Sequence, residues 1–134
     1  MNDKIYTKIS ELLLFAVNFM PGDKIQINID TDLRHAALNL ADLAYSRGAE
    51  YVSIAYIDAD LDSLAIKGKN ENFHFPAYFQ ELYRETTQKG WKRIALLSEV
   101  NTDVFRGLDS ERAARFFREK AASAKGFTIS PLLK

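Results

Sequence analysis

Two kinds of hydrophobic periodicity alternate along this chain, and that alternation constrains its fold more than any other feature. Lys24 to Ile29 repeats with period two, placing Ile25, Ile27 and Ile29 on one face and Lys24, Gln26 and Asn28 on the other. The next segment repeats at helical spacing through Leu33, Ala36, Ala37, Leu40, Ala41 and Ala44, and Gly48 stands where a left-handed C-cap belongs. Tyr51 to Ile57 is apolar almost throughout, and Arg93 to Ser98 forms a third short strand pattern.

Helical patterns flank these strands. Asp3 is an N-cap candidate ahead of the stripe Ile5, Ile9, Leu12, Leu13 and Ala16, which stops at the turn residues Met20-Pro21-Gly22-Asp23. Pro76 opens a helix carrying Tyr78, Phe79, Leu82 and Tyr83, closed by Gly90. Asp109 caps a last helix with Ala113, Ala114, Phe116, Phe117 and Ala121, ending near Gly126. Asp58 to Asn72 shows no periodicity and predicts no element.

The order α-β-α-β-α-β-α predicts one small three-layer α/β domain over residues 1–134, with a mostly parallel sheet of at least three strands. The strict alternation of the first strand predicts a sheet edge or a sheet covered on one side, and the apolar second strand predicts an interior position. Asp30-Thr31-Asp32 is expected to supply capping oxygens to the second helix.

Composition narrows the function classes. The 134 residues carry 18 basic and 18 acidic side chains, so no net field favours nucleic acid or an anionic membrane. The absence of cysteine rules out disulfides, thiolate zinc sites and cysteine nucleophiles. Leu12 to Met20 is far shorter than the roughly 20 residues of a membrane span. Met1-Asn2-Asp3-Lys4 does not begin a secretory leader, and a cytoplasmic location is expected.

Ligands of open α/β sheets bind at the carboxyl ends of the strands. Those ends carry Asp30 and Asp32, then Asp58, Asp60 and Asp62, then Ser98 and Glu99. Converging carboxylates suit Mg²⁺, but Asp is also the ordinary residue of caps and turns. Ile29-Asp30-Thr31-Asp32 resembles the aspartyl-phosphate motif of haloacid dehalogenase-type phosphatases; Arg34 breaks the pattern, and no paired acidic motif follows a later strand. Asp58-x-Asp60-x-Asp62 begins like a calcium loop, yet Ser63 replaces its glycine and Lys69 its bidentate Glu. His35 and His74 stand alone, without a second His one helical turn away. No glycine-rich phosphate loop and no Gly-x-Ser-x-Gly elbow occurs. Glu11 and Asp42 suit solvated helix faces. The aromatic set Phe73, Phe75, Tyr78, Phe79 and Tyr83 divides between core and an apolar patch for a partner.

Three stretches carry a family resemblance: Pro21-Gly22-Asp23-Lys24-Ile25, the run from Leu40 through Arg47-Gly48-Ala49-Glu50 to Val52 followed by Tyr56-Ile57-Asp58, and Gly107-Leu108-Asp109-Ser110-Glu111-Arg112. Together they resemble the N-terminal domain of thermophilic metallo-aminopeptidases of the aminopeptidase T and aminopeptidase S type. The resemblance implies homodimers and a pair of divalent ions, of zinc or cobalt type, held by histidines and carboxylates of a separate C-terminal domain. No catalytic, cofactor-binding or metal-binding residue is carried over to this chain. The implied role is scaffolding, dimerisation or substrate access.

Three readings follow. The first is a domain of a metallo-aminopeptidase, inert alone, whose apolar tail Phe127 to Leu133 docks against a following domain. The second is a stand-alone, non-catalytic binding module of the same fold, and the third a Mg²⁺-dependent phosphotransfer domain built on Asp30 and Asp58.

Overall fold

A computed structural model describes residues 3–97 and 105–125. The elements are α1 (Asp3–Ala16), β1 (Lys24–Asp30), a single 3-10 turn (Thr31–Leu33), α2 (Arg34–Ser46), β2 (Tyr51–Ile57), α3 (Ala59–Lys67), α4 (Tyr78–Gln88), β3 (Lys92–Leu96) and α5 (Ser110–Lys125). Three parallel strands form a sheet in the order β2-β1-β3. The α/β class and the parallel sheet are those read from the periodicities; α3 is an addition. The chain divides into two compact units, one of residues 3–58 with 88–97, the other of 59–87 with 105–125.

In the first unit, one sheet face packs against α1 and α2. Ile25, Ile27 and Ile29 are fully buried there, with Leu14, Ala37, Leu40, Ala44 and Ile94 completing the cluster. The alanines of α2 matter because a small side chain lets the helix approach the sheet closely without leaving a void. The edge alternative for the first strand and the interior position of the second are both overturned. β1 is the central strand and β2 an edge, with Tyr51, Tyr56 and Ile57 exposed. Alternation reports that two faces differ in polarity and says nothing about position within the sheet. The register places Gln26, Asn28, Ser53, Ala55, Arg93 and Ala95 on the face opposite the isoleucines. Gln26 is only 2% exposed; its Nε2 donates to Asn28 Oδ1 at 3.1 Å, while its buried Oε1 has no hydrogen-bond partner among the described residues.

α1 also departs from the expectation. Ser10 and Leu14 are its buried residues, with Leu13 and Val17 half-buried, whereas Ile5, Ile9, Leu12 and Ala16 face outward. Ser10 Oγ donates to Asn39 Oδ1 at 2.8 Å, so a small polar residue makes the cross-link to α2. The helix ends earlier than the Pro21 turn. Asn18 takes φ 55°, with Asn18 N–H bonded to Phe15 O (3.0 Å) and Phe19 N–H to Leu14 O (2.9 Å), a Schellman closure. α2 closes the same way at Gly48, φ 94°, through Gly48 N–H to Tyr45 O and Ala49 N–H to Ala44 O, both 3.0 Å.

The second unit contains α3, α4 and α5. α3 escapes a hydrophobicity reading because its buried residues are Asp62, Ser63 and Ile66, while Leu61 and Leu64 are exposed. Its packing rests on α5. Arg112 Nε donates to Ile66 O at 2.6 Å and Arg112 Nη2 to Gly68 O at 3.0 Å, closing the carboxyl end of α3, and Lys120 Nζ donates to Asp62 Oδ1 at 2.7 Å. Phe116, 4% exposed, receives Phe73 at 4.9 Å and Phe75 at 5.4 Å between ring centroids.

Helix starts divide cleanly between expectation and correction. Asp109 Oδ1 accepts from Glu111 N (2.9 Å) and Arg112 N (3.2 Å), as an N-cap should. Asp30 and Asp32 do not cap: neither the 3-10 turn nor α2 receives a side-chain cap bond, because the intervening turn moves the N-cap position of α2 to Leu33. Asp109→Ala is therefore expected to cost about 1 kcal/mol, and Asp32→Ala less than about 0.5 kcal/mol, as for an ordinary surface change. Urea midpoints of the two variants check the contrast, and equal losses would refute it.

Candidate functional site

The carboxyl edge of the sheet is the first place to look for chemistry. β1 ends at Asp30, paired in register with Ile57, and Asp58 follows directly. Asp30 and Asp58 both belong to the first unit, while Asp60 and Asp62 lie in the second, in the first turn of α3. Asp62 is committed to Lys120. Asp30, Asp58 and Asp60 all have interaction partners. Ser98 and Glu99 lie outside the described residues. Among the described residues no three histidine or carboxylate side chains converge as a ligand set. His35 and His74 are both exposed and far apart in sequence. These donors do not fit a divalent ion pair.

The aromatic set is drawn inward more than its sequence suggested. Phe73, Phe75, Phe79 and Tyr83 are half-buried, and Arg112 and Arg115 stand over the Phe73 ring at 4.5 and 5.2 Å. Only Tyr78 of the five is well exposed. A free apolar patch built on Phe73, Phe75 and Phe79 is thus replaced by a cluster around Phe116. The tail 126–134 lies outside the described residues.

The stretches that carried the resemblance supply turns and helix ends along with core residues such as Ile25, Leu40 and Ala44. At the amino edge of the sheet, Gly22 N–H bonds Gly48 O at 2.7 Å and Glu50 N–H bonds Asp23 O at 2.8 Å, stitching the turn before β1 to the turn before β2. A Cβ on Gly48 would lie 3.1 Å from Pro21 Cβ, so the tight approach adds to the positive φ in favouring glycine. Lys24 reaches Glu50 (3.6 Å) and stands 5.7 Å from the Trp91 ring, which meets Tyr51 edge-on. Tyr45 Oη accepts from Val52 N–H at 2.9 Å, tying α2 to the start of β2. In the third stretch, Gly107 takes φ 84°, Asp109 caps α5 and Arg112 closes α3. Arg112 and Lys120 were not legible as partners, because their contacts lie 44 to 58 residues away in sequence.

The described residues define a small parallel α/β fold class. The family follows from comparison: residues 3–129 match the model of the thermophilic metalloprotease (M29) family, and the chain belongs to that family. It is 30% identical over 128 residues to aminopeptidase AmpS of Bacillus subtilis (strain 168), covering 90% of this chain and 29% of that protein. The fold matches that of wild-type AmpT from Thermus thermophilus with a TM-score of 0.79 at 22% identity, over 89% of this chain and 30% of the other. The chain therefore spans just under a third of the length of these relatives. Among the described residues no helix is long and apolar enough to cross a membrane.

Proposed function

We propose that this chain is the N-terminal scaffolding, dimerisation and substrate-access domain of a cytoplasmic, metal-dependent aminopeptidase, and that it has no catalytic activity alone. One observation carries the reading: the family match runs through nearly the whole chain, while the residues that resemble the family serve turns, caps, helix ends and core, and no ligand set assembles among the described residues. In this reading the two divalent ions belong to a separate C-terminal domain, where they would supply a Lewis acid and a metal-activated water. What these residues contribute is a rigid wall, formed by a buried isoleucine layer and two stitched turns.

The test is hydrolysis of chromogenic aminoacyl substrates by the pure 134-residue chain, with and without added zinc or cobalt. No turnover above the metal-only blank is the expected outcome. Turnover that a chelator abolishes would overturn the reading. A stand-alone binding module would share that inactivity, and is distinguished by co-purification with a partner other than a metallopeptidase domain.

A further inference from the structure

Residues 59–71 are held within their unit by charge more than by apolar packing. α3 has nine residues, of which Asp62, Ser63 and Ile66 are buried. Ile66 is thus its one buried apolar side chain, while Leu61 and Leu64 are each 64% exposed. Asp60, Leu61 and Ser63 have partners of their own, and none of them adds a buried apolar group. A helix this short is marginal by itself and depends on what it packs against.

What it meets is one face of α5. Lys120 Nζ donates to Asp62 Oδ1 at 2.7 Å, and Arg112 donates to Ile66 O at 2.6 Å and to Gly68 O at 3.0 Å. Arg115 Nη2 donates to Glu71 O. The three cations share the side of α5 that buries Phe116, since 112, 116 and 120 recur every four residues and 115 lies one turn beyond 112. Every one of these bonds has its cationic donor on α5 and its acceptor on the 62–71 stretch.

Bonds of this kind are strong when closed, yet both partners find water when they part. Separation exposes little apolar surface, so the hydrophobic term that locks the isoleucine layer opposes it only weakly. Few buried apolar contacts mark the segments that open locally ahead of global unfolding. We propose that residues 59–71 are an ionic strap, which opens and recloses as a unit while α5 and β1 stay folded. α3 begins two residues after β2 ends, so release of the strap frees the chain that leaves the carboxyl end of that strand. The inference goes beyond the proposed role in an aminopeptidase and needs only contacts made inside the second unit.

Hydrogen–deuterium exchange of the full 134-residue chain, read by mass spectrometry at several urea concentrations below the unfolding transition, tests it. Amides of residues 62–68 should be at least about 30-fold less protected than those of β1 and of residues 113–120. Their exchange should hardly respond to urea, whereas exchange in β1 and α5 should rise steeply, because it requires far more surface to be exposed. Lys120 is 34% exposed, so salt reaches the latch, and raising sodium chloride from about 20 to about 500 mM should speed strap exchange by about threefold. Lys120→Met should speed it about 30-fold, the factor that corresponds to a loss of about 2 kcal/mol. Arg118→Ala removes an exposed cation of α5 outside the row and should leave strap exchange within about twofold.

Strap amides as protected as those of α5, with the same urea dependence, would show one cooperative unit and overturn the inference. A strap that opens locally but responds neither to salt nor to Lys120→Met would overturn the ionic latch. Equal acceleration by Arg118→Ala and Lys120→Met would trace the effect to general charge on α5, and would overturn it as well.

Discussion

Ile27→Ala is expected to destabilise the chain by about 3 kcal/mol, the middle of the range for removing a buried branched side chain from a packed core. Ile27 is the middle residue of the central strand, with no exposed surface, flanked in register by Ile54 and Ile94. α1 and α2 cover that face with Leu14, Ala37, Leu40 and Ala44. Helices held by the same cluster cannot collapse into the space without separating from the neighbouring strands, so much of the cavity should persist. Leu64→Ala is the matched control, since Leu64 is 64% exposed on α3 and its loss should change stability by less than about 0.5 kcal/mol. The single tryptophan, Trp91, precedes β3 and packs edge-on against Tyr51, so its fluorescence reports unfolding of the sheet. A urea series giving a loss below about 1 kcal/mol for Ile27→Ala would show that this layer is not the core.

Residues whose local pattern and tertiary environment agree were readable from sequence alone. Ile25, Ile27 and Ile29 are one example; Gly48, whose Schellman closure needs only its own helix, is another. Reading failed where burial and hydrophobicity part company. α1 buries Ser10 and exposes Leu12; α3 buries Asp62 and Ser63 and exposes Leu61 and Leu64. Periodicity finds the apolar face of a helix but cannot say that this face meets solvent or another molecule. The caps show a second kind of limit. Asp109 and Asp30 look alike as sequence, yet one extra turn at Thr31–Leu33 removes Asp30 and Asp32 from the start of α2.

The family was legible for a related reason. Pro21, Gly22 and Gly48 belong to two turns bonded to each other, and a pairing of that kind is written locally as a spaced pattern of glycine, proline and acidic residues. Catalytic ligands leave a different trace, a cluster of histidines and carboxylates converging in space, and the described residues contain none. The candidates at the strand ends illustrate how an acidic pattern misleads. Asp58, Asp60 and Asp62 share one short stretch, but α3 begins within it and Asp62 turns to Lys120.

That pair supplies the second large effect. Lys120→Met is expected to cost about 2 kcal/mol, below the 3–5 kcal/mol of breaking a fully buried pair because the Lys120 side chain is 34% exposed. The Asp62 side chain is only 10% exposed and would be left with little water to replace the ammonium at 2.7 Å. Asp62→Leu combined with Lys120→Met should recover most of the loss, since removing both charges removes the unmatched desolvation. Urea denaturation of the four chains in a double-mutant cycle, followed by far-UV circular dichroism, reads the coupling directly. Additive losses, with coupling below about 0.5 kcal/mol, would refute the structural pair. Mg²⁺ provides the discriminating addition, because any ion bound only by the folded chain raises stability with its concentration. If Asp62 serves α3 and not a metal, millimolar Mg²⁺ should leave the wild-type midpoint unchanged and should not rescue Lys120→Met. A rise in the wild-type midpoint that Asp62→Asn abolishes would return the acidic stretch to the list of sites.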